Sequence, residues 1–205
     1  MQFKRMKHWD EVYSSRPSKE LGWYQELPEI SLSLIDSLDL EGDEGIIDIG
    51  GGDSLLFEFL LERGFDDLNL LDVSAHAIER SRLRLGIQAE QVNWINSDIV
   101  DFKPNRSFDL WHDRACFHFL ISDNEISAYT RLARERVRPG GHLILGGFAG
   151  NGPEKCSGLP VHRYSGEEMQ GLFQGFEMLE DRYLAHLTPS GFEQNYIFCL
   201  FKRKH

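Results

Sequence analysis

Glycines and acidic side chains stand together at one point of this chain where a ligand can be held closely. Residues 48–54 read Asp-Ile-Gly-Gly-Gly-Asp-Ser and lie between a short apolar run and a helical pattern. Because glycine has no Cβ, its backbone can turn sharply and approach a ligand. The amides at the start of the following helix suit a polar or anionic group. The segment therefore predicts a ligand-binding turn.

Two further acidic residues end the next two predicted strands. Asp72 stands where a carboxylate can accept hydrogen bonds from both ribose hydroxyls of a nucleoside. Asp98, which follows Ser97, stands where a carboxylate can accept from an adenine amino group. Since the carboxyl ends of parallel strands meet at one edge of a sheet, the three segments together predict a nucleoside crevice there.

These residues need a parallel sheet to bring them together. Short apolar runs alternate with helical patterns from about residue 45 onward, which is typical of such a sheet covered by helices. Predicted strands cover residues 45–49, 68–73, 92–96, 108–112, 142–148, 176–186 and 192–202. Predicted helices cover residues 55–63, 74–85 and 124–137, and another starts at Ser165. We expect an α/β, doubly wound, Rossmann-like, three-layer α/β/α fold with seven strands, mostly parallel, ending in an antiparallel hairpin.

Length and composition limit the class of protein. The chain has 205 residues, 41% of them hydrophobic and 27% charged, which is typical of one globular domain. We expect a single domain over residues 1–205, with a helical lid in residues 1–40 and the Rossmann-like core in residues 45–205. No apolar run approaches the roughly 20 residues of a membrane span, and no secretory signal stands at the start. We therefore expect a cytoplasmic protein with no membrane partner.

Net charge and cysteine content exclude further classes. The formal net charge of −11 opposes binding to a phosphate backbone, so we expect no nucleic-acid partner. The three cysteines are widely spaced, and they predict neither a disulfide framework nor a Cys-x-x-Cys site.

Over almost its whole length, the chain resembles the class I, seven-strand S-adenosylmethionine-dependent methyltransferases. The stretches that carry the resemblance are IIDIGGGDS, LLDVS, NSDI, SFDLWHDRACFHFL and VRPGGHLIL. The resemblance implies an enzyme with S-adenosyl-L-methionine as cofactor. It places Asp48 beside the methionine part, the glycine turn against the cofactor, Asp72 on the ribose and Asp98 on the adenine. The full set of expected cofactor residues is Asp48, Gly50, Gly51, Gly52, Ser54, Asp72, Val73, Ser97, Asp98, Ile99 and His112.

Ser54 departs from the family pattern, in which the third small residue is usually glycine. The resulting Gly-x-Ser-Leu stretch resembles a branch of the family that contains protein-lysine methyltransferases.

Catalytic residues are harder to predict, because methyl transfer is an in-line displacement that depends mainly on positioning and on exclusion of water. Residues 111–119 follow the fourth strand and should face the methyl group. His112, Asp113 and His118 are the candidates to deprotonate or orient an acceptor. The alternative is that His118 belongs to the core and that Asp113 and Arg114 form a structural ion pair. Although His112, Cys116 and His118 lie close in sequence, no further ligand has standard spacing, so we predict no metal.

Candidate substrate residues come from three segments. The N-terminal lid offers Trp9, Tyr13, Trp23 and Tyr24, whose rings can attract a sulfonium cation or simply dock helices on the sheet. Arg114 belongs to the segment after the fourth strand. Arg163 lies in a long loop after the fifth strand, and it can hold an acidic acceptor or brace that loop.

The acceptor class stays open between alternatives. A small molecule with a thiol, hydroxyl or carboxylate group fits a compact domain, and protein lysine is the main rival. A non-catalytic, cofactor-binding regulator is a third possibility. A nicotinamide-dependent oxidoreductase is disfavoured because residues 50–55 lack the G-x-G-x-x-G spacing and Asp48 would repel a pyrophosphate.

The cofactor alternatives predict different ligand effects on stability. S-adenosylhomocysteine should raise the melting temperature, since a ligand that binds only the folded state stabilises it by mass action. NAD and NADP should leave it unchanged. Differential scanning fluorimetry with all three ligands checks this, and stabilisation by NAD or NADP alone would contradict the methyltransferase interpretation.

Overall fold

A seven-stranded sheet forms the centre of the molecule in the computed structural model, which describes residues 2–205. Its strands are β1 (Ile46–Ile49), β2 (Leu68–Asp72), β3 (Val92–Asn96), β4 (Phe108–Arg114), β5 (Val137–Phe148), β6 (Phe176–Leu187) and β7 (Glu193–Arg203). The helices are α1 (Gln2–Ser15), α2 (Glu29–Asp36), α3 (Leu56–Glu62), α4 (Ala75–Leu85), α5 (Asp123–Arg136) and α6 (Gly166–Leu172). Short 3₁₀ segments cover Ser18–Glu20, Gly86–Gln91 and Phe117–Phe119. A two-residue ladder pairs Lys155–Cys156 with Leu159–Pro160.

The strand order is β3-β2-β1-β4-β5-β7-β6. Strands β1 to β5 are parallel to one another, whereas β7 is antiparallel to both β5 and β6. This confirms the predicted fold class, including the terminal hairpin. The order reverses between β1 and β4, and in open α/β sheets the crevice at such a reversal is where ligands bind.

Both faces of the central strands are buried, which explains why apolar residues in β1 and β2 do not simply alternate with exposed polar ones. All four residues of β1 and all five of β2 are buried. Two hydrophobic clusters cover the sheet: Ile47 and Trp111 belong to one, and Ile46 and Leu110 to the other. Each large apolar side chain buried in this way contributes about 1.5–3 kcal/mol.

Helix boundaries follow the predicted capping residues. Ser74 caps α4, where its hydroxyl accepts a hydrogen bond from the Ala77 amide. Gly86 ends that helix with a positive φ of 58°, which favours glycine. Ser165 caps α6 in a capping box with Glu168. These caps place the following helices at the sheet edge.

Strand β5 begins earlier than the sequence predicts, at Val137 rather than at residue 142. Its pairing with β4 passes from Phe108 opposite Val137 to Leu110 opposite His142. The Arg-Pro-Gly-Gly segment of residues 138–141 therefore forms an irregularity inside the strand rather than a loop before it. Apolar periodicity could not show this, because Pro139 is the one residue of these four with an apolar side chain.

No helix in the described part of the chain is both long enough and apolar enough to cross a bilayer.

Candidate functional site

A cleft opens at the carboxyl ends of β1 to β4, at the point where the strand order reverses. It encloses about 770 Å³ of space, part of which opens to solvent. Its floor and walls come from the strand ends, and its cover comes from α1 and the segment that follows it. The lining residues are Arg5, Trp9, Tyr13, Trp23, Gly50, Gly51, Leu71, Asp72, Val73, Ser97, Asp98, Ile99, Arg114, Ala115, Cys116, Phe119, Leu120 and Cys156.

The glycine turn after β1 is packed too closely for any side chain. Gly50 and Gly52 have positive φ angles of 67° and 56°. A Cβ at Gly50 would lie 2.6 Å from the Cβ of Cys116, and one at Gly52 would lie 2.3 Å from the Tyr13 hydroxyl. The amides of Gly50 and Gly51 both donate to the Leu71 carbonyl. The turn therefore needs glycine both for its backbone angles and for its neighbours.

Asp72 ends β2 and is a buried carboxylate at the cleft wall, with a relative exposure of 5%. Its Oδ1 accepts a hydrogen bond from the Ser74 amide at 2.7 Å. Burial, together with the charges of Asp48 and Asp53, raises the pKa of Asp72 to about 7, against the lowering effect of the Ser74 and Gly52 amides. Near neutral pH its protonation state therefore responds to any charge that enters the cleft.

Asp98, after β3, is also buried, but it has a direct counter-charge. Arg5 Nη1 donates to both carboxylate oxygens of Asp98, each at 2.9 Å. Arg5 Nη2 donates to Glu125 at 2.6 Å. Helix α1 is thus tied by Arg5 to the end of β3 and to the first turn of α5.

Aromatic rings of the N-terminal segment cover the cleft. The Trp9 ring lies 5.7 Å from Trp23 and 5.0 Å from Phe119, both in edge-to-face arrangements. The Tyr13 ring lies 6.0 Å from Trp23. A second tie holds this cover, because Asp10 Oδ1 accepts from the Ser74 hydroxyl at 2.7 Å. The predicted lid residues Trp9, Tyr13 and Trp23 therefore meet over the cleft.

The three predicted catalytic residues do not line the cleft. The Nδ1–H of His112 donates to Asp48 Oδ1 at 2.7 Å, and its Nε2 accepts from the Ser31 hydroxyl at 2.9 Å. His112 is 1% exposed, between β1 and α2. Asp48 itself lies behind Gly51, where a Cβ would be 2.6 Å from its Oδ2. This pair lies behind the glycine turn and outside the cleft lining, and its predicted role beside the cofactor stays a prediction.

Asp113 and His118 also lie outside the cleft lining. Asp113 accepts from the amides of Cys116 and Phe117 and from the Tyr129 hydroxyl, so it holds the turn that follows β4. His118 is fully buried, and its Nδ1 accepts from the Phe148 amide at 3.3 Å. Burial lowers the pKa of His118 to about 3, so its ring is neutral. The prediction of a general base among these three residues is not supported by their placement.

Four other predicted residues, Gly52, Ser54, Tyr24 and Arg163, are not among those that line the cleft. The Ser54 hydroxyl accepts from the Leu56 amide at the start of α3, so Ser54 helps to begin that helix. Tyr24 is half-buried beside the cover without lining the cleft. Arg163 donates to the Gly152 carbonyl and to Glu154, which means that it braces its loop. Across residues 2–205, no three His, Cys, Asp or Glu side chains converge as metal ligands would.

The structure adds lining residues that sequence reasoning missed, namely Arg5, Leu71, Ala115, Cys116, Phe119, Leu120 and Cys156. Cys116 and Phe119 fall within the segment expected to face the ligand, so their position was a usable signal. The sequence around Arg5 gave no such signal, because its partner Asp98 lies 93 positions away in the chain.

The chain is similar to a known family over part of its length. A family model described as a methyltransferase domain matches residues 47–143, which include the glycine turn, Asp72 and Asp98. The predicted resemblance to the class I S-adenosylmethionine-dependent methyltransferases is confirmed by this match. The predicted family, enzyme class and cofactor are confirmed at that level.

Individual relatives are distant. The eEF1A lysine and N-terminal methyltransferase of Bos taurus is 22% identical over 147 residues, which are 71% of this chain and 21% of that protein. The chain thus spans about a fifth of the length of the first curated relatives it matches.

Solved structures show the same fold over nearly the whole chain. The N-methyltransferase NodS of Bradyrhizobium japonicum, in complex with S-adenosyl-L-homocysteine, is 16% identical with a TM-score of 0.70, over 98% of this chain and 100% of that one. A SAM-dependent methyltransferase of Anabaena variabilis is 16% identical with a TM-score of 0.74, over 97% of this chain and 95% of that one.

The contact of Gly52 with Tyr13 predicts how substitutions at these two positions change the free energy of unfolding. Gly52→Ala adds a Cβ against the Tyr13 hydroxyl, whereas Gly64→Ala adds one at a positive φ of 89° with open space around it. Both variants carry the strain of a left-handed residue, roughly 1–2 kcal/mol. Gly52→Ala should lower the free energy of unfolding by about 1–3 kcal/mol more than Gly64→Ala, because of the clash.

Tyr13→Phe removes the clashing hydroxyl. In the double variant with Gly52→Ala, it should therefore recover part of the extra loss in unfolding free energy. Urea unfolding of wild type, the three single variants and the double variant measures these differences in unfolding free energy. Equal losses in Gly52→Ala and Gly64→Ala would mean that Tyr13 is not held against the glycine turn.

The raised pKa of Asp72 predicts a pH dependence of stability. Because the folded pKa of about 7 exceeds the ordinary value of 3.8, the native state binds this proton more tightly. The stability from Asp72 is present below about pH 4 and is lost as the pH rises through 7. Asp72→Asn cannot titrate, so its unfolding free energy relative to wild type should rise between pH 5 and pH 8, by up to roughly 2.5 kcal/mol.

Urea unfolding at both pH values measures the difference, with Ser97→Ala as a cleft variant that removes no titratable group. Parallel stability curves for Asp72→Asn and wild type would show that Asp72 keeps its ordinary pKa.

Proposed function

We propose that this protein transfers the methyl group of S-adenosylmethionine to a small-molecule acceptor held in the cleft. One observation carries the proposal: the glycine turn, Asp72 and Asp98 meet at one sheet edge, beneath a cover formed by α1 and Trp23. A cleft covered in this way suits a small acceptor better than a surface segment of a folded protein.

The residues present fit the cofactor. Asp72 can accept from the ribose hydroxyls, and Asp98 can accept from the adenine amine. The glycine turn leaves room for the methionine part of the cofactor, because backbone atoms rather than side chains form the cleft wall at the turn. A sulfonium with an ammonium group and no phosphate matches the acidic residues at these strand ends. When bound, the cofactor supplies the methyl group, and the chain's own residues hold it in place.

The cleft wall offers no ready general base. Burial raises the pKa of the Cys116 thiol and of the Tyr13 hydroxyl well above their ordinary values, so both stay protonated. Asp98 is engaged by Arg5, and Asp72 is assigned to the ribose. Catalysis would therefore depend on positioning and on the exclusion of water by the aromatic cover, effects that can supply roughly 7–11 kcal/mol. An acceptor that is nucleophilic without deprotonation by the protein fits this site best.

A second candidate function is methylation of a protein lysine or N-terminus. Similarity to the bovine eEF1A lysine and N-terminal methyltransferase over 71% of this chain favours it. Against it, the buried Tyr13 and the contact of Trp9 with Trp23 narrow the route by which a peptide side chain would enter.

Cofactor binding is tested with Asp72→Ala. Isothermal titration calorimetry should show S-adenosylmethionine affinity reduced by about 1.5–3 kcal/mol, the range for hydrogen bonds to a charged group. Asp66→Ala removes an exposed carboxylate at the other end of β2 and serves as the matched control. Unchanged affinity in folded Asp72→Ala would mean that Asp72 does not bind the ribose.

Acceptor class is then tested with methyl-labelled S-adenosylmethionine. Label should pass to a member of a panel of small thiols, hydroxyls and carboxylates, and not to lysine-containing peptides. Transfer confined to peptides would establish the second candidate instead. Cofactor binding without transfer to any acceptor in either panel would indicate a non-catalytic regulator.

A further inference from the structure

Arg114 differs from the other arginine that lines the cleft. Arg5 is neutralised by two carboxylates, Asp98 and Glu125. Arg114, at the end of β4, donates through Nη1 to the Trp23 carbonyl at 2.8 Å. In the described part of the chain it forms no ion pair, and its other nitrogens have no acceptor within hydrogen-bond distance. A guanidinium has five N–H donors, so most of the hydrogen-bonding capacity of Arg114 remains available to a ligand.

The chain supplies ample carboxylates with which Arg114 could have paired. It has 33 acidic residues against 22 basic ones. Arginines elsewhere in the fold, such as Arg63 and Arg106, each hold a carboxylate. A partly buried arginine without a carboxylate partner loses hydration and gains no compensating charge. The desolvation of its guanidinium costs free energy unless a ligand supplies a negative charge.

A second polar group near Arg114 also lacks a partner. The Tyr196 hydroxyl on β7 is buried, and within residues 2–205 nothing hydrogen-bonds to it. Tyr196 is 3% exposed. Burial raises the pKa of its hydroxyl, as does the nearby thiol of Cys156, and the charge of Arg114 opposes the rise. Tyr196 does not itself line the cleft, but its unsatisfied hydroxyl lies within electrostatic reach of Cys156 and Arg114, which both do.

Two further groups that respond to the charge of Arg114 carry no negative charge themselves. His186 contacts the Gly22 carbonyl through Nε2 at 2.9 Å, and burial, together with the charge of Arg114, lowers its pKa, so the ring stays neutral. Tyr13 stays protonated, as described above. Trp23, whose carbonyl accepts from Arg114, lies against Trp9, and Trp9 lies against Phe119, so aromatic rings extend from Arg114 along the cover.

We infer that the methyl acceptor carries a carboxylate, which Arg114 binds with the Tyr196 hydroxyl as a second donor while the aromatic cover contacts the rest of the molecule. The inference rests on the proposed function and narrows its acceptor to a small organic acid. A planar guanidinium matches a carboxylate in geometry as well as charge. The same charge disfavours a cationic lysine acceptor at this wall.

The test measures binding to protein saturated with S-adenosylhomocysteine, so that no turnover occurs. The probes are matched pairs of a carboxylate and its neutral amide: acetate and acetamide, benzoate and benzamide, and phenylacetate and phenylacetamide. By calorimetry, at least one carboxylate should bind about tenfold or more tightly than its amide, as expected for charge-assisted hydrogen bonds. Benzylamine should bind no better than benzamide.

Substitutions of Arg114 and Tyr196 test whether these residues cause the preference for a carboxylate over its amide. Arg114→Gln should abolish the difference between carboxylate and amide. Arg114→Lys keeps the charge without the planar fork and should retain part of it, which also covers the case in which Arg114→Gln fails to fold. Tyr196→Phe should weaken carboxylate binding several-fold and leave amide binding unchanged. Arg163→Gln, a substitution in the loop outside the cleft, is the matched control and should keep the full preference.

The inference is overturned if carboxylates and amides bind equally, if no carboxylate of the series binds, if benzylamine is preferred, or if the preference survives in folded Arg114→Gln. Failure of S-adenosylhomocysteine to bind at all would instead refute the proposed function. The two failures are therefore distinguishable.

Discussion

The close approach of three backbone segments at Gly50–Gly52 is the constraint on which the rest of the site depends. Cys116, from the turn after β4, fills the space beside Gly50, and Tyr13, from α1, fills the space beside Gly52. The cleft lies where the strand order reverses between β1 and β4. Because the glycine turn has no Cβ, α1 can pack directly over this cleft. The Asp48–His112 pair behind the turn and the Asp113 hydrogen bonds after β4 then fix the two walls.

Buried carboxylates at this sheet edge differ in their partners, and burial still raises the pKa of two of them, Asp72 to about 7 and Asp113 to about 6. Asp113 accepts from two amides and a tyrosine hydroxyl, and Asp48 is paired with His112. Asp98 has the Arg5 guanidinium. Asp72 receives only backbone amides, which do not offset its burial, so its pKa rises. A cationic ligand near Asp72 would stabilise its ionised form, which is consistent with a sulfonium cofactor.

Sequence reasoning predicted those features that follow from local pattern. Buried parallel strands, the Ser74 and Ser165 caps and the terminal hairpin were all predicted, because apolar runs, capping residues and turn residues act within a few positions. Contacts that depend on the whole fold could not be predicted. Residue type alone could not show that His112 and His118 turn away from the cleft, nor that Arg5 crosses to Asp98.

Opposite charges in one cleft suit methyl transfer without a general base. Asp72 and Asp98 follow β2 and β3 on one side of β1, Arg114 ends β4 on the other side, and aromatic rings of the cover line the same cleft. Under the proposed function, a sulfonium donor and a carboxylate-bearing acceptor would each meet a complementary charge. Where the attacking atom is itself anionic, its reaction with a sulfonium removes both charges. Exclusion of water then favours the transition state, because the separated ions lose more hydration than the transition state does. In this geometry the cover over the cleft would contribute directly to catalysis, even though no residue of the cover transfers a proton.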